Sequence, residues 1–464
     1  MKLPPFFTKT FVLLLALAFL ASACAQTPMP IPPPPAPLPL PATNVPALPS
    51  PSTSAPTQLP AIAEDKILES KLARIQSPSV PGDDLTQLAQ GNNAFAMALY
   101  QNLRSGNGNL FFSPYSISLA LAMVYAGAGG DTEKQMADAL HFSLPQERLH
   151  PALNALDQHI TSNAQANNVP GQGFHLNIAN AIWGQDSFPF LPAYLDLLAQ
   201  DYGAGLHLAD FIHAAEPARQ VINAWVEQQT QGKITNLFPQ GSIDDSTRLV
   251  LANAIYFKAA WASPFDPAST SNDTFYLLDG SQASVPMMHS KSDSSYLYAQ
   301  GSNYQAVGLP YAGSDIMMVV LMPASGSFAN FEAGLTDAQL EGILVGMKGA
   351  SLNLEMPKFK TESQFDLEST LASLGMPDAF SDTADFSGMD GRKDLFIGDV
   401  LHKAYVNVDE NGTEAAAATG IAMGGGGLAT QPQTVNINHP FLFFIFDPQT
   451  KTILFMGRML NPGQ

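Results

Sequence analysis

Two apolar runs dominate the hydrophobic pattern near the end of the chain. Residues 441–446 and 452–458 are largely apolar, and Asp447 and Pro448 between them give a turn signal. Short continuous apolar runs of this kind are typical of strands that are buried on both faces. The pattern therefore predicts a buried hairpin that closes the folded domain.

An alanine-rich stretch precedes this hairpin. Residues 395–409 read as a turn followed by an alternating strand, and Gly412 then provides a backbone hinge. The side chains of a strand alternate between its two faces. If the stretch is a strand, its inner face carries only small residues, namely Thr413, Ala415, Ala417 and Thr419. Its outer face carries Glu414, Ala416 and Ala418.

The same alanines allow a second interpretation. Alanine favours helices over strands, so the stretch could be a short exposed helix or a linker. The alternating strand that runs directly into it favours the first interpretation. We therefore predict a segment that can enter a sheet as a strand.

An apolar residue at every fourth position predicts one buried face of a helix near the start of the domain. These residues are Phe95, Leu99 and Leu103. We expect the domain to begin near Asn92 and to extend to residue 464. Residues 61–91 form a polar lead-in, within which residues 63–72 favour a helix.

A short apolar run begins the chain. Lys2 and Lys9 precede it, residues 11–20 form it, and small residues follow. The run is too short to span a membrane, and its arrangement is typical of a signal peptide. We expect residues 1–23 to direct the protein across the cytoplasmic membrane.

Cys24 is the only cysteine of the chain. Its position resembles that of the lipid-modified cysteine of a bacterial lipoprotein, although Ala21 stands where leucine is preferred. Ordinary cleavage after Ala23 is the alternative. If Cys24 is lipidated, the mature protein has no cysteine for a disulfide.

Residues 24–60 are rich in proline, which favours an extended polyproline II conformation without a core. This composition predicts a tether that holds the domain off a surface. A ligand for a proline-binding module is the alternative. Together with the signal peptide, the tether predicts an extracellular or cell-surface protein that is held by a lipid anchor.

The composition excludes several function classes. The 464 residues include 21 Lys and Arg against 40 Asp and Glu, a formal net charge of −19. Nucleic acids and anionic membrane surfaces need basic patches, so neither is an expected partner. The sequence has no Gly-x-Ser-x-Gly elbow and no His-Glu-x-x-His motif, and its histidines lack ligand spacing. Residues 424–427 are four glycines, but the Lys and Ser or Thr of a phosphate-binding loop do not follow. We expect no enzyme activity, no metal and no cofactor.

Several segments, in the same order along the chain, resemble the serpin family of serine protease inhibitors. They are residues 109–117, 176–183, 223–234 and 249–261, together with the hinge and the hairpin described above. The resemblance runs from residue 92 to residue 462. It implies an α+β fold with a large central, mostly antiparallel sheet, two smaller sheets, about eight or nine helices, and an exposed reactive-centre loop at residues 410–433. Within the first segment, Ser113 is suited to cap a helix that has Pro114 in its first position.

The resemblance also implies a mechanism. In this family a protease attacks the loop with its serine and forms an acyl-enzyme. The freed hinge, here Glu410, Gly412 and residues 413–419, then enters the main sheet as an extra strand. The deformed protease loses its oxyanion-hole donors, each worth roughly 10²- to 10³-fold in rate, so the acyl-enzyme persists.

By the same resemblance, polar residues inside apolar strands control the opening of the sheet. The family's shutter cluster corresponds to Ser113, Ser116, Asn253 and His402, and Trp261 corresponds to the place where the loop first enters. The alternative is that these are only buried polar groups with satisfied hydrogen bonds. Both interpretations can hold together, because a network that must be remade when a strand enters is a two-state element.

The bond that the protease cuts depends on the register of the loop. The usual family spacing, counted from Glu410, puts it at Gly426–Gly427. Counting back from the hairpin favours Leu428 or Ala429, and Met423 is a further alternative. No Lys or Arg lies between Lys403 and Lys451, so we expect a protease with a small or apolar pocket, such as an elastase-, subtilisin- or chymotrypsin-like enzyme.

The remaining partner predictions follow from the same family resemblance. A serine protease is the expected covalent partner, with a cysteine protease as a further one. Residues 150–168 correspond to the basic helix that binds polyanionic sugars in some serpins, but they contain no Lys or Arg, so we expect no glycosaminoglycan cofactor. We expect a monomer. A non-inhibitory serpin that acts as a cell-surface binding or chaperone-like protein is the alternative function, and the small inner face of the hinge favours inhibition over it.

Overall fold

The structure is a computed structural model, and it describes residues 66–165, 175–291, 294–414 and 432–464. The predictions for the signal peptide, Cys24, the proline-rich linker and loop residues 415–431 lie outside these residues. Among the described residues, no helix has the length and apolar character needed to cross a membrane.

Ten α-helices are formed by the described residues, several of them only one or two turns long. They are α1 (Gly82–Leu103), α2 (Pro114–Tyr125), α3 (Gly130–Ala139), α4 (Gln146–Gln165), α5 (Pro192–Leu197), α6 (Phe211–Gln229), α7 (Phe328–Gly334), α8 (Asp337–Gly346), α9 (Glu368–Leu374) and α10 (Ser387–Asp390).

Seventeen strands are found in the same residues. They are β1 (Lys66–Leu68), β2 (Leu110–Phe112), β3 (His175–Gln185), β4 (Leu206–Ala209), β5 (Leu249–Ala260), β6 (Ser271–Tyr276), β7 (Gln282–His289), β8 (Ser295–Gln300), β9 (Tyr304–Pro310), β10 (Met317–Pro323), β11 (Lys348–Pro357), β12 (Phe359–Asp366), β13 (Asp399–Val408), β14 (Gly412–Thr413), β15 (Gln433–Asn436), β16 (Phe441–Asp447) and β17 (Thr452–Met459).

The main sheet has the strand order β1-β4-β3-β5-β14-β13-β12. Its pairs are antiparallel except for β3 with β4 and β5 with β13, which are parallel. The short strand β14 separates β5 from β13 only at one end, and beyond it the two long strands pair directly. This fork in the sheet positions the candidate site.

The other strands form two smaller sheets that share β11. The residues 348–351 of β11 pair with β8, in the sheet that continues through β9, β10, β16, β17 and β2. Residues 355–357 pair with β7, whose other neighbour is β6, and residues 352–355 pair in parallel with β15. The strand after the loop is thereby held to the second of these sheets.

Alternation along β5 divides the apolar side chains between two cores. Leu251, Ile255 and Phe257 belong to the main core, whereas Val250 and Ala252 face the smaller cluster formed with α6. The main sheet is therefore covered on both faces. A strand that extends this sheet must place its inner side chains in the main core and its outer ones on the α6 side.

The predicted hairpin is confirmed. β16 and β17 pair in antiparallel register from Phe441 opposite Met459 to Asp447 opposite Thr452, and every residue of both strands is buried. Full burial on both faces explains why the sequence runs are continuous rather than alternating.

Helix α2 begins as the sequence indicates. The side chain of Ser113 accepts a hydrogen bond from the backbone N–H of Ser116 at 3.1 Å, and Pro114 occupies the first helical position. All twelve residues of α2 are buried, so the helix needs no polar face. The cap fixes α2 directly behind the main sheet.

The lead-in differs from the sequence prediction. Instead of a helix at residues 63–72, the described part forms strand β1, which pairs with the edge strand β4. Arg74 then donates to Asn154 at 2.8 Å and forms an ion pair with Asp157 at 2.6 Å, both on α4. Helix α1 already begins at Gly82. Tertiary pairing at the sheet edge overrides the weak local helix propensity.

Candidate functional site: the loop hinge and the sheet it enters

Strand β14 lies between β5 and β13 at the fork of the main sheet. Gly412 pairs with Ala260, and Thr413 pairs with Ala259 on one side and with Val408 on the other. A Cβ atom on Gly412 would overlap the carbonyl oxygen of Ala259. Only glycine fits at this point, because the two backbones approach so closely.

Thr413 is fully buried and points into the main core. Its hydroxyl shares a 2.8 Å hydrogen bond with the Tyr311 hydroxyl. Burial raises the pKa of Tyr311, so this hydroxyl stays protonated at any physiological pH. The first inserted side chain of the loop is therefore small, and its one polar atom is satisfied.

Trp261 lies at the fork of the main sheet, beside the residues of the hinge. Its ring stacks on Tyr311 with the ring centres 4.8 Å apart, and its indole N–H donates to the carbonyl of Asp409 at 2.9 Å. Its backbone N–H donates to the carbonyl of Asn411 at 2.9 Å. The predicted entry residue thus contacts the backbone of the hinge twice.

Glu410 anchors the start of the hinge. Its carboxylate accepts a hydrogen bond from the Thr270 hydroxyl at 2.7 Å and pairs with Lys358 at 2.8 Å. Burial acts to raise the pKa of Glu410, but the hydrogen bonds from Lys358 and Thr270 outweigh it and lower the pKa. The carboxylate is therefore charged and held in place at neutral pH.

Glu414 is the last residue of the loop that the structure describes before residue 432. Its backbone N–H still donates to the carbonyl of Asn407 at 2.8 Å, but its φ of 51° departs from the extended conformation of a strand. Its carboxylate forms an ion pair with Lys233, which follows α6. Residues 415–419 of the predicted hinge and the candidate bond residues Met423, Gly426, Gly427, Leu428 and Ala429 lie outside the described residues.

Below the fork, β5 and β13 are in direct contact. The parallel register runs from Asp399 opposite Val250 to Tyr405 opposite Tyr256. The main sheet is thus closed where the rest of the hinge would have to enter.

The four predicted shutter residues form one buried cluster at the middle of the closed seam, the stretch where β5 and β13 pair directly. The backbone N–H of Ser113 donates to Nε2 of His402 at 3.1 Å, and Nδ1 of His402 is hydrogen-bonded to Oδ1 of Asn253. Because Nε2 accepts, the proton of the neutral imidazole must lie on Nδ1. The Asn253 amide donates to the carbonyl and the hydroxyl of Ser116, each at 2.9 Å.

His402 is fully buried, and this burial lowers its pKa to about 3. A protonated ring would also direct an N–H at the N–H of Ser113. Both effects keep the imidazole neutral at physiological pH. The hydrogen bond between His402 on β13 and Asn253 on β5 ties together the two strands that flank β14 at the fork.

Four contributors were not identified from the sequence. Asn180 on β3 accepts from the Ser116 hydroxyl and donates to its carbonyl, both at 3.0 Å. Its place as a polar residue within an apolar strand was a usable signal. No sequence pattern marks Tyr311, Lys233 or Lys358, because each comes from an element distant in the chain.

The polar side chains of the candidate site bond to other groups of the protein. Across residues 66–165, 175–291, 294–414 and 432–464, no group of three or more His, Cys, Asp or Glu side chains is arranged to hold a metal ion. The polar residues at the site hold strands to one another.

Comparisons with known proteins agree with this architecture. The model of the Serpin family, described as serine protease inhibitor, matches residues 90–462. A leukocyte elastase inhibitor of Bos taurus is 41% identical over 391 residues, which cover 82% of this chain and 100% of the relative. The crystal structure of the thermophilic serpin Tengpin in its native state superposes with a TM-score of 0.74 at 29% identity, over 86% of this chain and 100% of that one.

A further solved structure of the same fold is that of a thyroxine-binding protein. Thyroxine-binding globulin in complex with thyroxine superposes with a TM-score of 0.70 at 29% identity, over 81% of this chain and 99% of that one. The expected fold is confirmed, and the chain belongs to the serpin family of serine protease inhibitors.

Proposed function

We propose that this protein inhibits a serine protease as a suicide substrate, by trapping the acyl-enzyme and inserting its cleaved loop into the main sheet. The observation that carries the proposal is the hinge itself. Gly412 and Thr413 already pair with β5, and Thr413 also pairs with β13, at the fork where these two strands are apart. Insertion would continue a pairing that has begun.

The register of β14 defines where each further residue would pair. Thr413 pairs with Ala259, so a residue six positions later, Thr419, would pair with the residue six positions earlier, Asn253. The same count from Val408 brings Thr419 opposite His402. Full insertion would replace the direct Asn253–His402 hydrogen bond with a threonine between the two strands.

The inner face of the incoming strand suits this path. Thr413 and Ala259 face the main core, so Ala415 and Ala417 would enter that core opposite Phe257 and Ile255. Small apolar side chains fill such a space without strain, whereas a charged one would be buried without a partner. Continuing the count, Met423 would pair with Leu249, the first residue of β5, so the cut must lie close to this position or beyond it.

The chemical step would belong to the protease. Its serine oxygen attacks the carbonyl carbon of Gly426, the Gly426–Gly427 peptide bond breaks, and the amine of Gly427 leaves with a proton while Gly426 becomes an ester. Leu428, Ala429 and Met423 remain alternative positions. The absence of Lys and Arg between Lys403 and Lys451 favours an enzyme with a small or apolar pocket, such as an elastase-, subtilisin- or chymotrypsin-like protease.

The names of the relatives support this target class, since several are leukocyte elastase inhibitors. The protein would act outside the cell as a monomer, held at the surface through a lipid on Cys24. Mass spectrometry of the N-terminal peptide tests the anchor, because diacylglyceryl addition and simple cleavage after Ala23 give different masses. A peptide that retains residues 1–23 would contradict the export proposal.

The test uses the soluble domain with an elastase-like and a subtilisin-like protease, followed by denaturing gels and mass spectrometry. We expect a complex that survives denaturation, and the mass of the released C-terminal fragment would identify the cut. Clean cleavage without a complex for both enzymes, and without a gain in thermal stability, would favour a non-inhibitory binding protein instead. The match to thyroxine-binding globulin is the observation that favours this second function.

Two variants test the insertion step. Thr413 is already buried in the uncut protein, so Thr413→Arg would expel β14 from the fork, because keeping an unpaired guanidinium in the main core costs several kcal/mol. Ala415→Pro would remove a backbone donor from the new strand. We expect both variants to be cleaved as substrates without trapping, while their thermal midpoints before cleavage stay close to that of the wild type.

Thr434→Arg is the matched control, because Thr434 is exposed on β15 at the other end of the loop. This variant should trap the protease as the wild type does. Retained trapping by Thr413→Arg would contradict the insertion mechanism.

A further inference from the structure

Among the described hinge residues, Gly412 and Thr413 are paired in the main sheet, and below them β5 and β13 pair with each other. β5 and β13 extend well beyond the fork, and the residues after Thr413 are small. Glu414, the next residue, still donates its backbone N–H to Asn407 but leaves the extended conformation. Any contact that favours this conformation of Glu414 opposes further insertion.

The backbone of Glu414 is in an unfavourable conformation. Its φ of 51° lies in the left-handed region, which only five non-glycine residues adopt among those the structure describes. Such a conformation costs a non-glycine residue on the order of 1–2 kcal/mol. Extending Glu414 into a strand would relieve this cost, so the kink needs a compensating contact.

The side chain of Glu414 supplies that contact. Its carboxylate pairs with Lys233, and the Lys233 ammonium also lies 5.8 Å from the ring centre of Tyr256. Burial and the nearby charge of Glu414 raise the pKa of both Tyr256 and Tyr405. These two tyrosines are the pair that closes the seam immediately below the fork.

The position of Lys233 explains how the pair can resist insertion. Thr413 faces the main core, so the next side chain faces the α6 side of the sheet, and Lys233 lies just after α6. The Glu414 side chain is mostly buried, with 15% of its surface exposed, against 38% for Lys233. The ion pair therefore links the kinked residue to the part of the molecule that covers the closed sheet.

We propose that the Glu414–Lys233 ion pair is a restraint that holds the uncut hinge at two inserted residues. Glu414 and Lys233 act as positioning residues, since neither touches the bond that the protease cuts. This inference rests on the proposed insertion mechanism and adds the group that restrains it. Cleavage frees the loop to extend, and the strand gained then outweighs the single ion pair.

Without the pair, the kink loses its compensation and the intact loop should enter the sheet more readily. We expect Lys233→Met and Glu414→Gln to convert spontaneously to a heat-stable form that no longer traps protease. The half-life of trapping activity at a fixed elevated temperature should fall about fivefold, which corresponds to roughly 1 kcal/mol in the barrier. The double variant should convert no faster than the faster single variant, because both remove the same interaction.

Lys451→Met is the matched control, since Lys451 forms an ion pair with Glu341 at 3.8 Å in which both side chains are about half exposed. It should keep the wild-type half-life. Half-lives of Lys233→Met and Glu414→Gln that equal or exceed the wild-type value, or additive effects in the double variant, would contradict the proposed restraint.

The two proposals fail in distinguishable ways. If the fresh wild-type protein traps neither protease, the proposed inhibition fails. The proposed restraint is then tested without protease, by the rate at which a heat-stable form appears in thermal unfolding scans. Faster appearance of the heat-stable form in Lys233→Met and Glu414→Gln than in Lys451→Met would support the proposed restraint. The same rate in all of them would refute it.

Discussion

Acidification should weaken the closed sheet through His402. The pKa of this residue is lowered to about 3 by burial, against an ordinary value of 6.5. Between these two values the unfolded chain binds the proton and the folded chain does not. The free energy of unfolding is therefore intact above pH 6.5 and falls as the pH decreases below it.

The size of the effect follows from the same shift. Each pH unit within the window costs about 1.4 kcal/mol per proton, so lowering the pH from 7 to 5 should remove about 2 kcal/mol. His150, whose pKa burial lowers to about 4, adds a loss of the same sign. Asp399, whose pKa burial and nearby carboxylates raise to about 6, acts in the opposite direction.

A variant isolates the contribution of His402. His402→Gln keeps a neutral donor and acceptor in the seam but cannot be protonated, while His150 and Asp399 are unchanged and cancel in the comparison. Chemical unfolding of wild type and variant at pH 7, 6 and 5 gives the difference directly. We expect the variant to be less stable at pH 7 by about 1–3 kcal/mol, because a glutamine amide cannot reproduce both ring hydrogen bonds, to Ser113 and to Asn253, with the same geometry. This gap should shrink by about 2 kcal/mol at pH 5.

His213→Gln is the control, since the side chain of His213 is 78% exposed. It should follow the wild-type pH dependence. If His402→Gln lost stability with acid as steeply as the wild type, the argument that a neutral buried imidazole holds β5 to β13 would be refuted.

Three further predictions follow from individual contacts. Gly412→Val should expel β14 because its Cβ would overlap Ala259, and we expect faster hydrogen exchange at the hinge amides with little change in the thermal midpoint. Arg74→Met should lower the thermal midpoint by a few degrees and should increase the sensitivity of the lead-in to limited proteolysis, whereas an unchanged digest would contradict its docking role. Glu332→Ala should destabilise by about 3–5 kcal/mol, because it leaves the buried Arg458 without its carboxylate; a cost below about 1 kcal/mol in chemical unfolding would contradict this.

Local patterns were sufficient for several elements of the fold. The cap at Ser113, the alternating strand β13 and the hairpin of β16 and β17 depend on residues that are neighbours in the chain. Likewise, the small inner face of the hinge can be seen in the sequence, since strand alternation needs only the order of residues. The family resemblance supplied the order of the remaining elements and the members of the shutter.

The lead-in shows why local patterns were insufficient elsewhere. Residues 63–72 favour a helix by composition, yet β1 forms because β4 offers an unpaired edge. Helix propensity differs by only a few tenths of a kcal/mol per residue, whereas pairing satisfies several backbone groups at once. A sheet edge exists only after the chain has folded.

By itself, the sequence determined that this chain builds a mixed domain with a hinge small enough to enter a sheet, because helix caps, alternation and apolar runs are properties of adjacent residues. Only the tertiary structure decided that the hinge is already inserted by two residues, and that Lys233 forms an ion pair with Glu414 at the fork. It also joined His402 to Asn253, which are 149 positions apart in the chain. Contacts over such separations depend on the register between strands, and that register is set by the packing of the whole core.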